Sequence, residues 1–152
     1  MKKPSVPISF HFHEVPANLR NRLGLKEFIR QLFRKEKKKL SQLTYIFCSD
    51  EYLLQINRDF LNHNYYTDII TFDLTDSASA EPSDSGIIGE IYISVDRVRE
   101  NAASYNTSFN EELHRVVFHG ALHLCGYGDK SLKEQKIMRE KEDIYISTYF
   151  KS

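Results

Sequence analysis

The chain has 152 residues, and its 21 Lys and Arg are balanced by 21 Asp and Glu, so a uniformly basic nucleic-acid binder is excluded. That length suits one domain over 1–152, burying about two-thirds of its unfolded surface. No apolar run approaches the roughly 20 residues a membrane-spanning helix needs. The opening Met1-Lys2-Lys3-Pro4 leads into no hydrophobic signal core, so a cytoplasmic location is expected. Cys48 and Cys125 lie in apolar surroundings and read as reduced core thiols.

Ile8, Phe10 and Phe12 alternate with Ser9, His11 and His13, the period of a strand with one buried face. Asn18 is placed to cap a helix with Leu19, Leu23, Phe28, Ile29, Leu32 and Phe33 at helical spacing, ended by a run of lysines. From Arg20 to Lys39 cations far outnumber Glu27 and Glu36, and Arg30, Arg34, Lys37 and Lys38 are candidates to track a phosphate backbone; the alternative is a solvated face. Leu43 to Cys48 reads as a second strand. A helix from Asp50 then carries Leu53, Leu54, Ile56, Phe60 and Leu61 inward until Asn62-His63-Asn64 breaks it. His63 reads as a surface histidine.

A strand follows from Thr67 to Leu74, then a small, polar, acidic surface loop from Ser77 to Gly86. Gly89 to Val95 alternates as a fourth strand, with Ile91 and Ile93 opposite Glu90 and Tyr92, able to form a hairpin with the strand before it. Asp96 would cap the next helix, and Ser108, with Glu111 three residues on, would open another by a capping box. A last helix from Ser131 places Leu132, Ile137, Met138, Ile144 and Ile146 on its apolar side. These elements make an α+β fold, a small mixed four-stranded sheet covered by about five helices.

The densest chemistry lies in His119-Gly120-Ala121-Leu122-His123-Leu124-Cys125-Gly126-Tyr127-Gly128-Asp129. Histidines four apart share a helix face, and Gly126 can take positive φ and turn the chain so that Asp129 returns to the same point. The helix is apolar over most of its circumference through Leu113, Val116, Val117, Phe118, Leu122 and Leu124, so its imidazoles need partners. Two imidazoles and a carboxylate with an open position suit one catalytic divalent ion, zinc first. Cys125 points off that face and reads as core. The spacing is that of extended zinc-protease motifs, but their general-base glutamate is replaced by Gly120. Glu112, seven residues before His119, is a candidate to orient an imidazole, and Glu90 one to assist proton transfer.

At these residues the chain resembles the YbeY family of rRNA maturation factors, whose signature runs H-G-x-L-H-L-x-G-Y-D-H. Two further family segments are matched, in order, by Asn57-Arg58-Asp59-Phe60 with Thr67-Asp68-Ile69-Ile70-Thr71-Phe72, and by Gly89-Glu90-Ile91-Tyr92-Ile93-Ser94. The resemblance implies a zinc-protease-like core and a metal-dependent endoribonuclease of ribosomal RNA maturation and ribosome quality control, with RNA and the ribosome or its proteins as partners. Two positions depart from the family. Its third histidine is Asp129, a harder and anionic ligand, and the family's arginine falls on Leu61, so phosphate contact must come from elsewhere. A bound ion can lower the pKa of water from about 15.7 toward 7; attack by hydroxide and attack by a 2′-hydroxyl both remain open. A small metallopeptidase and a metal-stabilised ribosome-binding factor without turnover are the competing functions. A 2-His-1-carboxylate oxygenase is remote, for no jelly-roll pattern is present.

Overall fold

The computed structural model describes residues 6–75 and 86–151. These form β1 (Ile8–Phe12), α1 (Arg22–Lys35), β2 (Leu40–Cys48), α2 (Asp50–Leu61), β3 (Ile69–Asp73), β4 (Ile87–Ser94), α3 (Val95–Ser104), α4 (Phe109–Leu124) and α5 (Leu132–Lys151). The mixed α+β sheet has the order β1-β2-β4-β3. β1 and β4 flank β2 in parallel, pairing Phe10 with Tyr45 and Tyr45 with Ile91, and β3 runs antiparallel along β4, Ile69 opposite Ile93. β3 and β4 therefore pair as the expected hairpin. The segment expected as a surface loop lies, except for Gly86, outside the described residues.

The strand alternation sorts side chains onto two faces. Leu43, Tyr45, Phe47, Ile91 and Ile93, all fully buried, meet Leu25, Ile29, Leu32 and Phe33 of α1 and Val117, Phe118, Ala121 and Leu122 of α4 in the main core. Cys48, Ile70, Phe72 and Tyr92 pack instead with Leu53 and Ile56 of α2 on the other face. At about 25 cal/mol per Å² of apolar surface, the main layer is the larger source of stability. α4 is fixed across the sheet by a buried bond, in which the Tyr45 hydroxyl donates to the Val117 carbonyl over 2.9 Å. Gly120 permits this close approach, because a Cβ there would stand 2.8 Å from Ile91 Cδ1 and 3.1 Å from Ile69 Cδ1.

Several elements differ from expectation. Asn18 does not cap α1. Its amide donates to the Pro16 carbonyl, and Asn21, at φ 51°, caps the helix by accepting from the Gly24 amide. This later start turns Leu23 outward, 81% exposed, while Leu19 before the helix is buried. Ser94, not Asp96, caps α3, and Asp96 accepts from the Asp50 amide at the start of α2. Asp50 in turn accepts from the Ser94 hydroxyl and from Arg97, so the two helix starts are latched together. Phe60 and Leu61 lie outside the core, as do Leu132 and Ile144 on α5, which buries Met138, Glu142, Tyr145 and Ile146. β2 starts earlier than the apolar run suggested, at Leu40, and β3 is confined to Ile69–Asp73. Among the described residues no helix is long and apolar enough to cross a membrane.

Candidate active site

α4 begins as its sequence requires. Ser108 Oγ accepts from the Glu111 amide, while the Glu111 carboxylate accepts from the Thr107 hydroxyl. It ends after Leu124, and Gly126 at φ 109° turns the chain, as expected of a glycine there. The turn returns Asp129 to α4, and its backbone is moored to α5 by Gln135 Nε2, which donates to the Asp129 carbonyl over 3.0 Å.

A cleft of about 390 Å³ opens where α4, α5 and the start of β3 meet, with His119, Asp129, Asp68, Glu112, Glu142, Arg115 and Arg139 in its wall. His119 is gripped from both sides. Its Nδ1 lies 2.6 Å from Glu142 Oε2 and its Nε2 3.3 Å from Asp129 Oδ2. His123, one turn on, is exposed and donates Nδ1 to the Tyr127 carbonyl over 3.0 Å. In both histidines Nδ1 is thus engaged by an oxygen, which is how metal-binding imidazoles are oriented to present Nε2.

In kind, this donor set suits a first-row divalent ion. His119 Nε2 and Asp129 Oδ2 stand 3.3 Å apart as a direct pair, a separation that would also admit two ligands of one tetrahedral ion. In arrangement, the structure assembles two of the three. His123 is not gathered with them, and among the described residues no three His, Cys, Asp or Glu side chains form a metal cluster. Cys125 is buried core, its thiol pushed up to about 12 chiefly by burial. Cys48 is likewise buried and pushed up to about 12.

The electrostatics are those of a crowded acidic cleft. Burial pulls the His119 imidazole down, but the Glu142 hydrogen bond and charge, then Asp129 and Asp68, outweigh it and hold its pKa above the ordinary value. Burial raises the carboxyls of Asp68 and Glu112. Carboxyls raised by burial beside an imidazole are the groups from which acid–base chemistry is built. Arg115 bridges Glu142 and Asp143 at 3.3 and 2.8 Å, while Arg139, 56% exposed, lies 3.6 Å from Glu142.

The two carboxylates named from sequence fall differently. Glu112 lines the cleft but does not orient an imidazole; Glu142 of α5 does. Glu90 stands on the α2 side of the sheet, accepting from the Tyr92 hydroxyl, away from the cleft. Of the basic candidates, Arg30 is largely committed, donating to the Val6 carbonyl at 3.0 Å and pairing with Glu27. Arg34, Lys37 and Lys38 are exposed. Glu36 beside them accepts from Tyr127, Lys141 and Tyr145, tying the basic end of α1 to the Asp129 turn and to α5. Leu61 lines a shallow groove beside the cleft.

Comparison with known proteins identifies the family. Residues 11–149 match the family model for endoribonuclease YbeY. The chain is 48% identical to endoribonuclease YbeY of Cytophaga hutchinsonii over 92% of its own length and 94% of that protein, and 41% identical to that of Parabacteroides distasonis over 90% and 91%. The solution structure of TM1509 from Thermotoga maritima superposes with a TM-score of 0.59 at 27% identity, covering 95% of this chain and 89% of that one. The family match over residues 11–149 and this extent of identity place the chain in the endoribonuclease YbeY family.

Proposed function

We propose that the protein is a metal-dependent endoribonuclease that cuts single-stranded segments of ribosomal RNA during ribosome maturation in the cytoplasm. It would use one divalent ion, zinc first, on His119, His123 and Asp129. The observation that carries this reading is His119 itself, held by Glu142 on Nδ1 while Nε2 faces Asp129 in an open cleft. When bound, such an ion polarises a phosphoryl oxygen and acidifies water.

The chain's own residues supply the rest. Glu142 and the Tyr127 carbonyl set the two imidazoles. Arg139 offers a guanidinium to the phosphate within the cleft, and Arg115, neutralised by Glu142 and Asp143, braces the carboxylate that orients His119. Asp68 and Glu112, raised by burial, are suited to hold and pass a proton at the leaving oxygen. Arg34, Lys37 and Lys38 extend a positive surface for RNA within the ribosome, their helix end joined to the Asp129 turn through Glu36 and Tyr127.

Gly120 speaks against the peptidase. Its Cβ direction runs into Ile91 and Ile69, so a glutamate there would be driven into the sheet. The deciding assay incubates purified protein with structured and single-stranded RNA after metal removal by chelator and after restoring zinc, manganese or magnesium. Cleavage lost with the metal, recovered on its return and absent in His119→Ala is the expected result. Cleavage indifferent to chelation sinks the metal reading, and binding without cleavage under every ion sinks the nuclease.

A further inference from the structure

A groove of about 210 Å³ adjoins the cleft and shares Thr67 and Ile69 with it. Leu61, His63 and Tyr65 line it, and among the described residues no carboxylate does. The rings of His63 and Tyr65 are stacked, with centroids 5.2 Å apart and planes at 22°, and the Tyr65 hydroxyl lies 3.1 Å from His63 Nδ1. Both are exposed, Tyr65 at 56%.

Single exposed aromatics are common on protein surfaces, but this pair is held in place from below. Asn57, 1% exposed, donates Nδ2 to the Tyr65 carbonyl over 2.9 Å and accepts at its own carbonyl from the His63 amide at 3.1 Å. Asn62 takes φ 56° to turn the chain, and Arg58 Nε donates to Asn64 over 2.6 Å. A buried amide and a left-handed residue thus fix a loop whose two rings contribute nothing to the core. What the loop offers outward is a preorganised flat π surface beside an apolar side chain, contiguous with a cleft lined by ionisable groups. That combination suits an unstacked nucleobase, which has a π face and is tethered to a phosphate that must reach the ionisable groups.

We propose that this groove seats a nucleobase of single-stranded RNA flanking the bond cut in the cleft, stacked on the His63–Tyr65 pair. The inference rests on the ribonuclease reading and adds to it the handle by which the substrate is positioned. The test is a cycle between protein and substrate. Dissociation constants and cleavage rates are measured for a short single-stranded RNA and for copies with one base at a time made abasic, against the parent protein and Tyr65→Ala. Tyr65 reaches the fold through its backbone carbonyl, so the variant keeps that anchor.

For the parent, one abasic position beside the cut should weaken binding about tenfold, the effect of removing one base–aromatic stack. Tyr65→Ala should weaken the intact RNA by a similar factor and show no further penalty at that position, and Tyr65→Phe should behave as the parent. RNA still cleaved, with every abasic penalty unchanged in Tyr65→Ala, overturns the stacking site and leaves the nuclease standing. A parent that neither binds nor cleaves any RNA overturns both.

Discussion

Glu142 on α5 holds its Oε2 2.6 Å from Nδ1 of His119 on α4, a contact across 23 positions of sequence. It decides which face the imidazole shows to the cleft. Glu142→Gln keeps the shape but lowers the basicity of the ring, so zinc affinity should fall about 10- to 100-fold. Arg115 retains Asp143 at 2.8 Å, so the fold should persist. Calorimetric titration beside a thermal melt separates the two effects. Unchanged affinity would show that the Glu142 carboxylate does not tune metal binding at His119.

Asp129→His replaces a hard anionic donor by a neutral imidazole. Binding should survive, with preference moved toward softer ions. Competition titrations with zinc, nickel, cobalt and manganese give the order, and an order identical in both proteins counts against Asp129 as a ligand.

Replacing Arg34, Lys37 and Lys38 by glutamine should weaken RNA binding and flatten its salt dependence. The log–log slope should change by about 0.7 for each single-strand phosphate that the variant no longer neutralises. Arg30→Gln is expected to act on stability instead, since its guanidinium holds Val6 and Glu27. A salt series with each variant reads the slopes; equal slopes return the helix to a solvated face.

Glu36 carries a pH signature. Burial pushes its carboxyl up, but hydrogen bonds from Tyr127, Tyr145 and Lys141, with the Lys141 charge, outweigh burial and leave it below the usual 4.5. A lowered carboxylate contributes stability above its unfolded pKa and loses it as pH falls through the folded one. Glu36→Gln should therefore destabilise by about 1–3 kcal/mol at neutral pH, and the gap to the parent should close as pH drops below 4.5. Urea melts at neutral and acid pH measure it, and a gap constant with pH would rule out the ionised carboxylate as its source.

The local parts of the site were legible because they depend on local geometry. Histidines four apart share a face, Gly126 turns the helix end, and Ser108 caps its start, all within one or two turns of chain. Glu142 was not, since a carboxylate on a long helix with many charges carries no mark of which partner it will meet. Alternation placed Glu90 and Tyr92 on one side and Ile91 and Ile93 on the other, correctly. It cannot say which side faces the cleft, because period two is the same from both faces. Asn18 and Asp96 are good caps by type, yet lost to Asn21 and Ser94, whose backbones stand where the helices start.

α5 brings Glu142, Arg139 and Gln135 to the cleft, while every strand of the sheet and both histidines precede it in the chain. Synthesis delivers residues in that order. The sheet can therefore pair before the orienting carboxylate is made, and the cleft is finished only once α5 docks against α4.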